Sequence, residues 1–545
     1  MLRTIAGLAL SLAVLALPAA VSAQDRAEGE EQQHNRLDVQ PYIEAAQVLV
    51  AELSPGDDMV TYTSIAAGVD ASIRGRNNAA ALSLRYERRI GWGDDAPDGD
   101  VISGIARASA AVIPHALTIE AGGLAARSRI EGNGAAIQNP IIDNGGESNI
   151  YSVYAGPSLR TDAGDVSIEG QYRIGYSRIE EPDALVTAPG ADPVDVFDDS
   201  VVQMAQLRVG SRPNQLLPVG VGVGAGWYQE DISNLDQRVA NRWVRGDVTV
   251  PVSPNVALVG GVGYEDVEVS ARDALRDELG NPVIGSDGRY RTDPDAPRKL
   301  AYDVEGLIWD VGVIWRPSRR TELEAHIGRR YGSTTYYGTL SYKPNSRSSL
   351  NVSVYDNIAG FGGQVNNMLA GLPTDFEVNR NPISGDLSTC VVSLEGGNCL
   401  GGVLGAVRSS TFRARGVTAS YAMNFGRWRA GVGIGYDRRK YIAAEGTVLA
   451  SANGLVDENV WLAAYLSGRL DERSTLSTNV YATWFNSSFD FGGSTRGYGA
   501  SAAYNRLLTA KLAATAAVSL DGLTRDEDLE DIWSAAALLG LRYSF

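Results

Sequence analysis

Apolar and polar residues alternate with a period of two over most of this chain, the pattern of strands that have one face in each of two environments. In the segment 166–176, Ile168, Tyr172, Ile174 and Tyr176 share one face with Gly170, while Ser167, Glu169, Gln171, Arg173 and Gly175 share the other. Trp428, Ala430, Val432, Ile434 and Tyr436 alternate with Arg429, Gly431, Gly433, Gly435 and Asp437. Leu323, Ala325 and Ile327 alternate with Glu322, Glu324, His326 and Gly328. Leu512, Ala514, Ala516, Val518 and Leu520 alternate with Lys511, Thr515, Ser519 and Asp521. A helical period fits none of these segments.

The connections between strands alternate as well. Short turns fall near 74–78, 113–117, 160–165, 211–217, 251–255, 316–321, 343–348, 425–427, 470–474 and 505–510. Between them lie mostly longer, acidic or Gly-rich loops, near 53–59, 92–99, 131–148, 180–200, 230–236, 271–301, 332–335, 361–409, 442–458, 486–496 and 522–530. Ten turns and eleven loops predict about 22 strands, within a range of 20–24. Hydrocarbon tolerates no unpaired strand edge, so such a set must close. The expected fold is all-β: a single transmembrane antiparallel β-barrel with short periplasmic turns and longer extracellular loops. Closure pairs a first strand near 37–52 with a last near 531–545. No blade or solenoid repeat supports a propeller or a β-helix. Trp92, Tyr176, Trp315, Tyr331, Trp428, Tyr436 and Phe545 fall near strand ends, where aromatic girdles sit.

The two ends of the chain agree with this. Phe545, Tyr543, Leu541 and Leu539 share one face of the final strand, opposite Ser544, Arg542 and Gly540. Gly540, Tyr543 and the terminal Phe545 resemble the C-terminal assembly signal of Gram-negative outer-membrane barrels. At the other end, Arg3, the apolar run Ile5 to Leu17 and Val21-Ser22-Ala23 read as a secretory signal peptide cleaved near Ala23. The expected organisation is a signal peptide (1–23), a short periplasmic tail (24–36) and an outer-membrane barrel (37–545). No other stretch approaches the roughly 20 apolar residues of a membrane-spanning helix.

Composition refines the picture. With 61 Gly, 24 Tyr and 9 Trp, mean hydropathy is only -0.12, as it should be when half of each strand faces water. The net charge of -17 argues against nucleic acid as a partner, which needs a basic face, and none is expected. The expected partners are outer-membrane lipid, lipopolysaccharide and the barrel-assembly machinery. The two cysteines, Cys390 and Cys399, exclude a disulfide scaffold or a thiolate metal cluster. They lie in the longest loop and are expected to pair with each other. That stapled loop either folds into the pore as a constriction or is a stiffened surface loop.

The inward-facing positions include Arg85, Arg173, Arg208, Arg245, Glu322 and Glu324, beside Glu87, Arg89, Glu169, Gln171, Asp247, Arg330, Arg429 and Asp437. Mixed signs favour wall charges that pair across strands; the alternative is a selectivity ladder in which Arg favours anionic or hydroxyl-rich solutes. Sugar transport would want a series of inward aromatics, and Tyr62 and Tyr355 do not make one. Acidic loops at 94–100, 180–199 and 526–531 match no cation-binding spacing and read as solvated. No cofactor or metal is expected. The histidines are His34, His115 and His326. None has a sequence-visible catalytic partner, so no catalytic residue is assigned and no enzyme activity is expected.

A count near 22 invites comparison with TonB-dependent transporters. Those carry a large plug domain before the first strand, where this chain has only residues 24–36. The chain resembles more a group of uncharacterised barrels found beside PEP-CTERM/exosortase and exopolysaccharide gene clusters. The resemblance rests on Val60-Thr61-Tyr62-Thr63-Ser64 through Ala67-Gly68-Val69-Asp70, on Leu84-Arg85-Tyr86-Glu87-Arg88-Arg89 and on Ser410-Thr411-Phe412-Arg413-Ala414-Arg415-Gly416. It implies a Gram-negative outer-membrane barrel and assigns no functional residue. Three functions compete: a porin-like channel for diffusion or polymer export, a non-conducting barrel that anchors surface material, and a barrel hydrolase.

Overall fold

The computed structural model describes residues 36–545, apart from 94–95, 132–133, 138–146, 181–196, 287, 377, 389, 394–396, 490–492 and 526–529. The expected signal peptide, nearly all of the tail, His34 and most of the acidic loop residues lie outside the described residues. The main sheet has 23 strands, one of which is a two-residue strand, Ala136–Ile137, appended to a loop. The remaining 22 form a ring in which each pairs antiparallel with its sequence neighbours. The first, Arg36–Ser54, pairs with the second, Met59–Arg74, and with the last, Ile532–Ser544. At that seam Ala46 stands opposite Gly540, where a Cβ would come within 2.8 Å of the Ala46 Cβ. The ring therefore has no free edge.

Ring strands run from 10 to 20 residues, none shorter than the roughly 9–11 that a tilted strand needs to cross hydrocarbon. The connections alternate as expected. At one end lie short turns such as 75–77, 164–165, 319–320 and 426–427; at the other lie long loops such as 272–298 and 360–411.

The period of two decides which medium each side chain meets. Ile43, Ile65, Ile174, Leu307, Leu539 and Phe545 stand exposed on the outer face, Leu539 at 71 %. A belt of exposed aliphatic and aromatic side chains on nearly every strand costs free energy in water and is relieved in lipid. Trp92, Tyr176 and Trp315 are exposed near strand ends. Tyr331 departs from the expectation. It sits in a tight turn at φ 51°, is 5 % exposed, and packs with Val239, Val267 and Ile358 rather than facing lipid.

The apolar core lies inside the ring. Ile105, Leu124, Ile150, Ile179 and Ile232 on the wall pack against Phe361, Val365, Leu369, Leu372, Leu400 and Val407. The second group belongs to the loop that joins the fifteenth strand, Ser348–Ala359, to the sixteenth, Phe412–Phe425.

Candidate functional site: a lumen closed by a loop

The loop 360–411 enters the barrel and becomes its plug. It begins with the helix α1, Phe361–Ala370, which buries eight of its ten residues. A helix buried on nearly every side is surrounded by protein. Its N-terminus rests on Glu230, a wall carboxylate with no exposed surface. Glu230 accepts hydrogen bonds from the backbone N–H of Gly360 at 2.6 Å and of Gly363 at 2.8 Å. This satisfies two of the free amides at the helix start and sets a negative charge at the positive end of the helix dipole. Glycine is required by close approach, since a Cβ on Gly362 would come within 2.0 Å of the Ser200 hydroxyl, and one on Gly363 within 2.0 Å of the Tyr228 hydroxyl. Asn366 donates to Ser177 Oγ at 2.8 Å, and Arg173 donates to the Asn367 side chain. Arg107 reaches the carbonyls of Ala370 and Leu372.

The second half of the plug meets other parts of the wall. Arg380 donates to Ser83 and Ser103. Arg127 pairs with Asp386 at 3.0 Å, and Arg89 donates to the Ser384 carbonyl at 3.1 Å. Cys390 and Cys399 are joined by a disulfide that staples a small hairpin, Cys390–Val392 with Gly397–Cys399. Both sulfurs press on Gly433, where a Cβ would come within 2.4 Å of each, and the hairpin packs beside Trp461. Arg439 donates to the carbonyls of Gly402 and Val403 at 2.9 Å each, and to that of Ala406. Arg408 in the plug pairs with Asp457 in the wall at 3.1 Å. The plug is thus held mainly by guanidinium groups on backbone carbonyls and by a few buried ion pairs. Such bonds are worth more than neutral ones in a dry interior.

The six inward charges expected from sequence divide between two tasks. Arg173 grips the plug. Arg85 pairs with Glu44 at 3.1 Å and with Glu87 at 3.0 Å. Glu87 also holds Arg89, which in turn reaches the plug. Arg208 pairs with Asp247 at 2.6 Å, and Arg245 bridges Asp247 and Asp310. His326 lies between Asp310 and Glu324, 3.0 Å from each, and stacks on Tyr337 with ring centroids 4.7 Å apart. With a carboxylate on each nitrogen, this imidazole is a positioned wall group with no nitrogen left to activate a hydroxyl. Glu322 sits at the mouth, half-exposed, paired with Arg316.

Below the plug the lumen stays hollow. A cavity of about 600 Å³ opens toward the short-turn end, lined by His115, Gln171, Gln206, Arg208, Trp243 and Asp247 among others. The Trp243 indole lies flat across the neighbouring strand, over Gly226, where a Cβ would come within 2.5 Å of it. The same joint recurs inside the ring with Tyr154 over Gly122, Tyr355 over Gly416, Tyr465 over Gly431 and Tyr481 over Gly499. Inward aromatics are therefore a series, which the count of Tyr62 and Tyr355 alone missed. The signal was a glycine on the partner strand, visible only once register is known. Among the described residues no cluster of three or more His, Cys, Asp or Glu side chains is arranged to hold a metal ion.

No protein-family profile and no curated protein matches the chain. Solved structures of similar shape exist. The open form of the ferric-catecholate import receptor Fiu from E. coli K12 has 10 % identity and a TM-score of 0.45, over 92 % of this chain and 81 % of that one. The FrpB iron transporter from Neisseria meningitidis, F3-3 variant, has 10 % identity and a TM-score of 0.42, over 93 % and 81 %. The copper transporter OprC has 12 % identity and a TM-score of 0.40, over 95 % and 82 %. No cargo or partner is read from these likenesses.

Proposed function

We propose that the chain is an outer-membrane channel closed at rest by its own loop 360–411, and that it passes polar solutes when the loop yields. The observation that carries this is the plug itself: a segment tethered at both ends and gripped by wall arginines, seated above a hollow polar vestibule. A ring of 22 strands is too wide for wall side chains alone to fill, so occlusion here is the work of the loop. The outward apolar belt supports residence in the outer membrane, reached after cleavage near Ala23, with lipopolysaccharide and the assembly machinery as partners. Vestibule charges that neutralise one another, beside an indole face, suit a neutral, hydroxyl-rich solute better than an ion. The resemblance to barrels beside PEP-CTERM and exopolysaccharide clusters makes surface polysaccharide the polymer to try first.

A second reading has its own observation. The plug and wall share an apolar core of the kind found in rigid proteins, which favours a non-conducting barrel that anchors surface material. Planar-bilayer recording separates the two. The channel reading expects small or rare openings from the intact protein and large steady ones when 361–409 is replaced by a short linker. A folded barrel silent in both forms leaves the anchor reading in place.

A further inference from the structure

We propose that five consecutive turns at the short-turn end form a basic arc that binds the headgroups of anionic phospholipids in the periplasmic leaflet. The inference rests on the membrane-spanning reading above. The chain is strongly acidic overall, yet cations concentrate at this rim. The turn at 319–320 carries Arg316, Arg319 and Arg320, and that at 346–347 carries Lys343 and Arg347. Arg427, then Arg469 and Arg473, then Arg506 and Lys511 belong to the next three. Only Glu322, Asp471 and Glu472 oppose these ten cations within the same segments. The turns join the twelfth strand, Lys299–Ser318, through to the twenty-first, Leu512–Arg525, so the arc is continuous around nearly half the ring.

The other half of the rim differs in number and in pairing. It carries Arg36, Arg74, Arg76, Arg160, Arg212 and Arg542 over more strands. Four of them have carboxylate partners: Asp375 for Arg74, Glu169 for Arg160, Asp162 for Arg212 and Asp70 for Arg542. Along the arc, Arg319, Arg347, Arg469 and Arg473 are exposed, and none makes a side-chain hydrogen bond or ion pair within the described residues. On the arc Arg316 pairs with Glu322, while these four stay without a carboxylate partner among the described residues.

Position supplies the ligand chemistry. Exposed apolar side chains lie among the cations: Tyr342, Phe425, Leu470, Leu507 and Leu508. A long basic side chain at such a boundary lays its stem on apolar surface and carries its head to the phosphate layer. A guanidinium there can donate two parallel hydrogen bonds to one phosphodiester. A zwitterionic headgroup brings its own ammonium to the site, whereas a phosphatidylglycerol-type headgroup does not. The arc therefore selects for net negative lipid.

The test uses the full mature protein in nanodiscs of phosphatidylethanolamine with a minority of phosphatidylglycerol. Native mass spectrometry of the released protein counts the lipids retained. Expected is roughly tenfold enrichment of phosphatidylglycerol over its mole ratio, falling away as salt is raised toward about 1 M. The variant Arg319→Gln, Arg347→Gln, Arg473→Gln and Lys511→Gln should lose the enrichment. The matched variant Arg74→Gln, Arg76→Gln, Arg160→Gln and Arg212→Gln should keep it. Both variants must insert and shift on heating like the parent. Should the arc variant fail to fold, the salt titration and the matched variant still decide. Equal lipid retention in parent and arc variant overturns the proposal and leaves the channel reading standing. Displacement of the lipid by polyglutamate at equal charge also overturns it, in favour of an acidic polymer. A parent protein that enters neither bilayer overturns both readings.

Discussion

Arg439 shows what one wall side chain does for the plug. It is 2 % exposed, paired with Asp437 at 2.7 Å, and supplies donors to three loop carbonyls. Replacing it with Met leaves Asp437 without this partner and those carbonyls without a donor, a loss of about 3–5 kcal/mol by the usual cost of breaking a buried pair. The barrel should still assemble, because Arg439 lies on the lumen face and its strand remains fully paired. The expected outcome is faster hydrogen exchange across 400–407 together with larger conductance; unchanged exchange there counts against this gripping role. Period-two patterning placed Arg173 and Asp437 on the inner wall; Arg439, two residues beyond Asp437, shares that face, but the pattern does not single it out. The loop partners of Arg439 were illegible for a physical reason: a backbone carbonyl carries no residue identity, so sequence cannot announce it as an acceptor; Arg173 meets the Asn367 side chain, which only the fold brings near. Arg208 and Arg245 were expected either to pair or to form a ladder, and in the structure they pair, with Asp247 and Asp310. Changing Arg85, Arg173, Arg208 and Arg245 together to Gln should therefore shift reversal potentials toward cation selectivity, because it bares carboxylates as well as removing cations. An anion-selective variant contradicts that assignment.

At the scale of elements, strands were legible and the plug was only half so. Strands announce themselves because lipid and lumen impose opposite demands on successive residues. The loop offered a weaker signal: Phe361, Val365, Met368, Leu369, Leu372 and Phe376 are too apolar for a solvated segment, but no period says where they go. The choice between pore constriction and surface loop turned on tertiary contact, which lies in Glu230 and Ser177 on distant strands. The disulfide follows from the same placement. Changing Cys390 and Cys399 to Ala should cost roughly 2–3 kcal/mol of local stability by the chain-entropy model, loosening the hairpin against Gly433 while leaving assembly intact. Peptide mass spectrometry of the unreduced protein checks the bond directly, and two free thiols would refute it.

For the whole molecule, the even strand count and the pairing of Arg36–Ser54 with Ile532–Ser544 make one closed surface. The chain should fractionate with outer membrane and run faster unheated than boiled on a detergent gel; recovery from the soluble periplasm sinks the membrane reading. Tyr543 and Phe545 stand exposed on the outer face with ring centroids 5.2 Å apart. Changing Phe545 to Asp should lower the yield of the heat-shifted form, and normal yield shows that the terminal aromatic is not used in assembly. The global topology was readable because alternating loop length leaves its trace in sequence. The height of the plug, the hollow beneath it and the joints of Trp243 and Tyr481 on glycine were not readable, since each depends on register between strands.

The plug lies between the fifteenth and sixteenth strands, and its placement in the chain has a consequence for time. Arg380 bonds to Ser83, 297 residues away, while Arg408 in the same loop pairs with Asp457, which is made later. The seal as a whole cannot finish until wall from both ends of the chain is in place. Closing so long a span ahead of its neighbours is entropically slow. If the ring closes before the loop drops in, it is for that time an open hole. Each copy then leaks briefly on insertion, and a cell's sensitivity to small toxic solutes should peak during synthesis rather than at steady state.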